Sequence, residues 1–292
     1  MTSPDYHLIG LYTRYSSKHQ KPNFKTEPPL SPKSGWTSRV EAVLEYFQIP
    51  YTHQFVNISE VLSPFTHPNR FNNLQSQIKA ISPTGLVPVL QCHSLSATIG
   101  DSLAICEFLA ESNPTLALWP KDRQLRALAR TTAAQMHSGF PVLRNNFYTN
   151  FLAKYTGNIP IPDGAAAELV RMFQIWDSAR KATKERFAVL GEADEGFLFG
   201  GFSIADAFFW PVLWRFRSYG LSLEGAGPDA LDWMAKMWND PVFKTLSDKY
   251  FRQAEDPETC IEHYDDIFRD KSDVQYSLFS KDWVFSASAG GQ

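Results

Sequence analysis

Cysteine is scarce: Cys92, Cys106 and Cys260 are the three in 292 residues. An odd number with no C-x-x-C and no metal-like pairing argues against a disulfide framework or a metal site. It fits a reducing, cytoplasmic setting. Long apolar runs are missing as well. The longest, Ala207 to Trp214, has eight residues and contains Pro211, well short of the ~20 a membrane helix needs. Met1 to Gln20 is polar and has no apolar stretch of the kind a secretory signal carries. Nor does charge of one sign prevail: 28 basic residues face 31 acidic ones, a net −3. No global basic field therefore invites nucleic acid.

What remains is an ordinary globular composition, 43% apolar and 20% charged, enough to bury a core. The length is about twice the ~150 residues that serve as a soft prior for one domain, so two domains are expected. Charge is less even locally. Residues 13–33 carry Arg14, Lys18, Lys21, Lys25 and Lys33 against Glu27 alone, together with Pro22, Pro28, Pro29 and Pro32. That reads as a cationic, proline-rich loop. Residues 251–292 hold nine acidic residues against four basic ones, yet also Tyr264, Phe268, Tyr276, Phe279, Trp283 and Phe285. So many large apolar groups are expected to dock rather than to solvate, with fraying from Ser286 onward.

The periodicities change once along the chain. His7 to Tyr12 and Tyr51 to Ile58 read as strands, and a third begins at Val87-Pro88-Val89-Leu90 with a fourth around Thr98-Ile99. Val40, Val43, Leu44 and Phe47 share one face of a helix over Trp36–Phe47, and Asp101 to Ala110 is helical again. After Trp119-Pro120 strand signals vanish. A helix from Leu125 to Leu143, kinked at Pro141, is followed by helices around Leu169–Trp176, 203–218, 230–239 and 241–251. The fold class is therefore α/β plus all-α. The expected units are 1–112 (with the insert at 13–33), an all-helical 119–250, and the extension 251–292.

Three segments can carry chemistry. In Ser82-Pro83-Thr84-Gly85-Leu86-Val87-Pro88-Val89-Leu90, a proline at the strand mouth cannot donate to the ladder. If Val87-Pro88 is cis, the Val87 backbone turns outward and can pair with a peptide-like ligand; if trans, this is a plain edge strand. Gly100-Asp101-Ser102 opens a helix. Both polar residues can be simple caps, or the free amides there can hold a ligand carboxylate, with Asp101 facing an ammonium. Ser34-Gly35-Trp36-Thr37-Ser38-Arg39-Val40 enters the first long helix, where a hydroxyl caps the helix or donates to a bound thiolate.

The order and spacing of these segments resemble the glutathione transferase family: a helix led by Ser34, then S-P-x-G-x-V-P-V-L, then D-S-x-A-I-x-x-F-L. Ser203-Ile204-Ala205-Asp206 matches the S/T-x-x-D capping box of that family's second domain. A G-x-S-x-G elbow is rejected there because Ala205 replaces the last glycine. The resemblance spans roughly residues 7–250. It implies a thioredoxin-like N-terminal domain, an all-helical C-terminal domain, a homodimer, and glutathione as cosubstrate or catalytic cofactor without a metal.

Carried over residue by residue, the resemblance puts Ser34 at the activating position with Trp36 beside it. Val87 and Pro88 fall at the cysteinyl backbone of glutathione, and Asp101 and Ser102 at its γ-glutamyl end. Tyr12, Tyr15, Ser16 and Ser17 compete as activators, because some twenty residues separate the first strand from Ser34. Leu86 stands where relatives carry Gln or Lys, so Lys79 or Gln75 would take the glycyl carboxylate. Met136-His137-Ser138-Gly139-Phe140 and Leu143-Arg144 resemble a run at the family's second-substrate site, implicating His137, Phe140, Arg144 and Tyr148; His137 is otherwise an interhelical histidine. The activity implied is thiolate attack on an electrophilic, apolar small molecule, as in detoxification. The alternatives are glutathione-dependent cis–trans isomerisation of an unsaturated carbonyl compound from catabolism or secondary metabolism, and a non-catalytic interaction module. The sequon Asn57-Ile58-Ser59 is read as chance.

Overall fold

The computed structural model describes residues 4–11, 34–56, 79–82, 84–253 and 267–286. Its first half is a β-α-β unit followed by β-β-α. Strand β1 (Tyr6–Leu11) leads to helix α1 (Ser34–Tyr46) and strand β2 (Tyr51–Val56). Strands β3 (Val89–Cys92) and β4 (Ala97–Gly100) precede helix α2 (Ser102–Ser112). The sheet order is β2-β1-β3-β4, with β1 parallel to β2 and antiparallel to β3. Leu8 of the inner strand is buried against Val40, Val43 and Leu44 of α1, the i, i+3, i+4 face that the sequence spacing predicts.

The second half is helical: α3 (Arg123–Ser138), α4 (Pro141–Asn146), α5 (Ala165–Leu190), α6 (Ile204–Tyr219), α7 (Pro228–Asn239) and α8 (Pro241–Gln253). Helix α6 runs through the middle and is buried on nearly all its faces. Its capping box is formed as expected: Asp206 Oδ2 accepts from Ser203 N and Oγ, both at 3.0 Å. The other oxygen accepts from Leu198 N at 2.8 Å and Trp233 Nε1 at 2.9 Å. Trp210 and Trp214 lie in the core. Among the described residues, no helix is long and apolar enough to cross a membrane.

Two expectations are corrected. The helix predicted from Leu125 to Leu143 is two helices. Phe140 adopts a left-handed conformation (φ 59°) after α3 ends, and Pro141 opens α4. A proline has no amide to donate and clashes with the carbonyl four residues back, but suits a helix's first turn. Nor do strands end at Trp119. Strand β5 (Ala153–Gly157) pairs antiparallel with β6 (Val274–Leu278), a pairing whose partners are too far apart in sequence for local patterning to reveal. The tail docks through its aromatics as expected: Trp283 meets Trp238 edge-on at 4.9 Å, and Phe268 meets Tyr155 at 5.2 Å.

Helix α1 joins the halves by lying along α6. Gly35 makes this approach possible, because a Cβ there would sit 2.7 Å from Thr149 Oγ1 and 3.3 Å from Pro211 Cβ. On its far side, α1 presents buried Glu41 to α8. Lys249 Nζ lies 2.7 Å from Glu41 and 2.9 Å from Glu45, and Tyr250 OH donates to Glu41 at 3.1 Å.

Candidate functional site at one end of the sheet

The strand register collects the three candidate segments. Val89 pairs with Ile9 of β1 on one side and with Gly100 of β4 on the other. Val87-Pro88 and Asp101-Ser102 therefore emerge at the same sheet end, where β1 also finishes. The start of α1 is held there too, since a Cβ at Gly10 would overlap the Thr37 side chain. Ser34 is the first residue of α1. The side chain of Ser34, together with Tyr12, Tyr15, Ser16, Ser17, Asn57 and Gln75, lies outside the described residues, as does the insert 13–33.

The Val87-Pro88 peptide is cis. Among the described residues, neither the N–H nor the C=O of Val87 has a hydrogen-bond partner. The preceding turn is self-supporting: Leu86 N donates to Ser82 Oγ and Thr84 Oγ1, each at 3.3 Å. Leu86 itself points outward, and exposed Lys79 lies across the turn beside Gly85.

Asp101 occupies a left-handed position (φ 72°) and caps α2, its Oδ1 accepting from Leu103 N at 2.8 Å and Ala104 N at 3.3 Å. Its Oδ2 lies 3.2 Å from His137 Nε2 at the end of α3. The His137 contact, with the two amides, holds the carboxyl below its ordinary range despite partial burial. Ser102 is buried, and among the described residues its hydroxyl has no partner; nor has His137 Nδ1.

The His137 ring meets Trp36 edge-on at 5.4 Å. Two guanidinium groups flank the same indole, Arg39 at 4.3 Å and Arg144 at 4.4 Å from its centre. Arg144 also donates to the carbonyls of His137 and Gly139, both at 3.1 Å, closing the end of α3 as a basic residue should. Arg39 is only 3% exposed, and among the described residues its Nε and Nη1 have no hydrogen-bond partner. Burial lowers its affinity for a proton well below the arginine norm, and the charges of Arg144 and Arg215 add to this, while Asp101 opposes it. Arg215 is brought down to about 10 by burial. A guanidinium keeps its proton in a protein, so this is a concentration of positive charge facing too little negative charge.

Of the second-substrate residues expected from sequence, His137 and Arg144 come together against Trp36, a residue expected at the glutathione site; Tyr148 is half-buried nearby in sequence, its phenol pushed up by burial. Phe140 does not join them: it is wholly buried, with Arg171 stacked over it at 5.2 Å. The left-handed turn that ends α3 aims that ring into the core. Arg39 and Arg215 join the site without a motif that points to them. The available signal was an arginine immediately before the apolar face of α1 begins at Val40.

Residues 33–112 match the family model described as glutathione S-transferase, N-terminal domain, and residues 148–236 match glutathione S-transferase, C-terminal domain. Glutathione S-transferase omega-1 of Rattus norvegicus is 30% identical over 192 residues, covering 61% of this chain and 71% of that protein. Maleylacetoacetate isomerase of the same organism is 38% identical over 69 residues, 24% of this chain and 31% of that protein. In fold, the chain is similar to Ure2p in complex with glutathione, with a TM-score of 0.55 at 16% identity, over 84% of this chain and 99% of that one.

Proposed function

Because the chain belongs to the glutathione S-transferase family, we propose that it binds glutathione at this end of the sheet and activates the thiol against an electrophilic, apolar small molecule. One observation carries the reading: the register gathers unpaired groups that match a tripeptide. The Val87 backbone offers a donor and an acceptor to the cysteinyl unit, as a neighbouring strand would. The buried Ser102 hydroxyl at the start of α2 receives the γ-glutamyl carboxylate. Asp101, kept ionised, faces the ammonium. Lys79, beside the Gly85 turn, takes the glycyl carboxylate in place of Leu86.

Ser34 opens α1, so its hydroxyl and the helix N-terminus stabilise the thiolate. The electrophile lies against Trp36, His137, Arg144 and Tyr148. The test is Ser34→Ala: turnover of a thiol-reactive electrophile should fall by most of its value while the protein is still retained on immobilised glutathione. Unchanged turnover sinks the assignment. A homodimer belongs to the same proposal, and light scattering on the purified chain checks it.

A second reading has its own observation. The buried, unpaired Arg39 beside Arg144 suits a cosubstrate that carries a carboxylate. That agrees with a glutathione-dependent isomerase of an unsaturated keto acid, and one relative is named maleylacetoacetate isomerase. In that chemistry the thiolate adds, the former double bond rotates, and the thiolate leaves again. Product mass separates the two: an adduct means transfer, and an unchanged mass with glutathione recovered means isomerisation.

A further inference from the structure

A second cationic centre lies in the helical half, beside the tail. Arg217 belongs to the last turn of α6 and is 8% exposed. Aromatic rings surround its guanidinium: Phe279 at 4.1 Å, Trp283 at 4.7 Å and Trp214 at 4.8 Å from their centres. Among the described residues it makes no ion pair and no hydrogen bond, and its buried Nε is without a partner. Stacked rings engage the face of a guanidinium. Its N–H donors lie in the plane, where rings leave them unmet. Burial lowers its pKa to about 9.

Arg217 lines a half-open cavity of about 240 Å³ between β5, α6, α7 and the tail. Lys154 is the other cation on its wall, and Leu213, Phe216, Leu221 and Met234 supply apolar surface. Among the described residues no aspartate or glutamate lines it. Tyr155 and Trp238 add rings from the helical half, and Phe279, Trp283 and Phe285 add rings from the tail, beyond the region that matches the family models. A mostly apolar cavity with a few convergent polar groups is the usual form of a small-ligand site. Its volume falls below the ~300–1,000 Å³ of sites for drug-sized molecules, so the occupant is small.

We propose that this cavity binds a small apolar carboxylate, its carboxylate against the in-plane donors of Arg217 and its hydrocarbon or aromatic body against Leu213, Phe216, Leu221 and Met234. The site is separate from the sheet end and does not depend on the reading given to it.

Calorimetric titration of the full chain with 2-naphthoate tests this, beside the neutral isostere 2-naphthamide and with or without saturating S-hexylglutathione. One naphthoate should bind per chain, the amide at least tenfold more weakly, and S-hexylglutathione should leave the affinity unchanged. Arg217→Met should weaken naphthoate at least tenfold. Because Arg217 also holds the tail, Lys154→Met on the exposed side of β5 provides a second variant, expected to weaken binding several-fold with an unaltered melting temperature. No binding, equal affinity for acid and amide, displacement by S-hexylglutathione, or full affinity in Lys154→Met and in any folded Arg217→Met overturns the proposal. The cage is then a clamp for the tail alone.

Discussion

His137 Nε2 and Asp101 Oδ2 stand 3.2 Å apart, linking the end of α3 to the start of α2. This contact is the first cause of the depressed Asp101 pKa. A carboxylate depressed in the folded state stabilises it above the ordinary value of 3.8, and that contribution is lost as pH falls through the folded value. His137→Ala should therefore lower stability at neutral pH, by no more than about 1 kcal/mol because Asp101 is half-exposed. The gap between variant and parent in urea melts should close below the ordinary aspartate range. A gap independent of pH would contradict this.

Lys249 bridges α8 to Glu41 and Glu45 of α1. Burial works against its ammonium, but the two carboxylates outweigh it and the pKa is raised. The resulting stability is fully present below the ordinary lysine value of 10.5 and is lost as pH rises through the folded value. Lys249→Met leaves Glu41 buried and short of its cation, at a cost of about 3 kcal/mol. The double variant Glu41→Gln/Lys249→Met should recover part of that in denaturant titrations.

Gly35 marks where α1 touches the helical half. Gly35→Ala brings a methyl within 2.7 Å of Thr149 Oγ1 and should cost about 1–3 kcal/mol by overpacking. Removing the obstacle with Thr149→Ala should make the second substitution much less harmful than the first alone, a non-additivity that a double-mutant cycle reads directly.

Asp206 answers four donors around the start of α6. Asp206→Ala strands the Leu198 amide and the Trp233 indole in the core, at about 1–3 kcal/mol for each. Chemical denaturation should show a loss of that order, with Asp206→Asn falling between variant and parent.

Arg39 carries the opposite expectation. Among the described residues it is a buried cation without a paired acid, so Arg39→Met should leave the unfolding free energy within about 1 kcal/mol of the parent or raise it. If the cosubstrate is a carboxylate, kcat/KM for it should fall at least tenfold, while a neutral electrophile is turned over as before.

How much of this could be read beforehand followed the range of the interactions. Val40, Val43 and Leu44 state their helix by spacing alone, and Ser203 and Asp206 state their cap within four residues. The gathering of Val87 with Asp101 was legible because a two-strand hairpin separates them. The break at Phe140-Pro141 was misread, since a proline at the first position of a new helix and one inside a kinked helix leave the same trace. Pairing of Lys154 with Ser277 had no local trace at all. That no acid among the described residues pairs directly with Arg39 or Arg217 is a property of packing in three dimensions, so the sequence showed only two more arginines.

The β5–β6 sheet has a consequence for how the chain is made. Lys154 and its partner Ser277 are 123 positions apart. At synthesis rates of ~5–20 residues per second, β5 waits on the order of 10 s for its partner to be translated. During that interval the sides of α6 and α7 that carry Trp214, Arg217 and Trp238 lack Phe279 and Trp283, and β5 presents an open edge of the kind that recruits foreign strands. The nascent protein therefore passes through a sticky stage that the finished one conceals, and the arrival of the last strand works as its own chaperone.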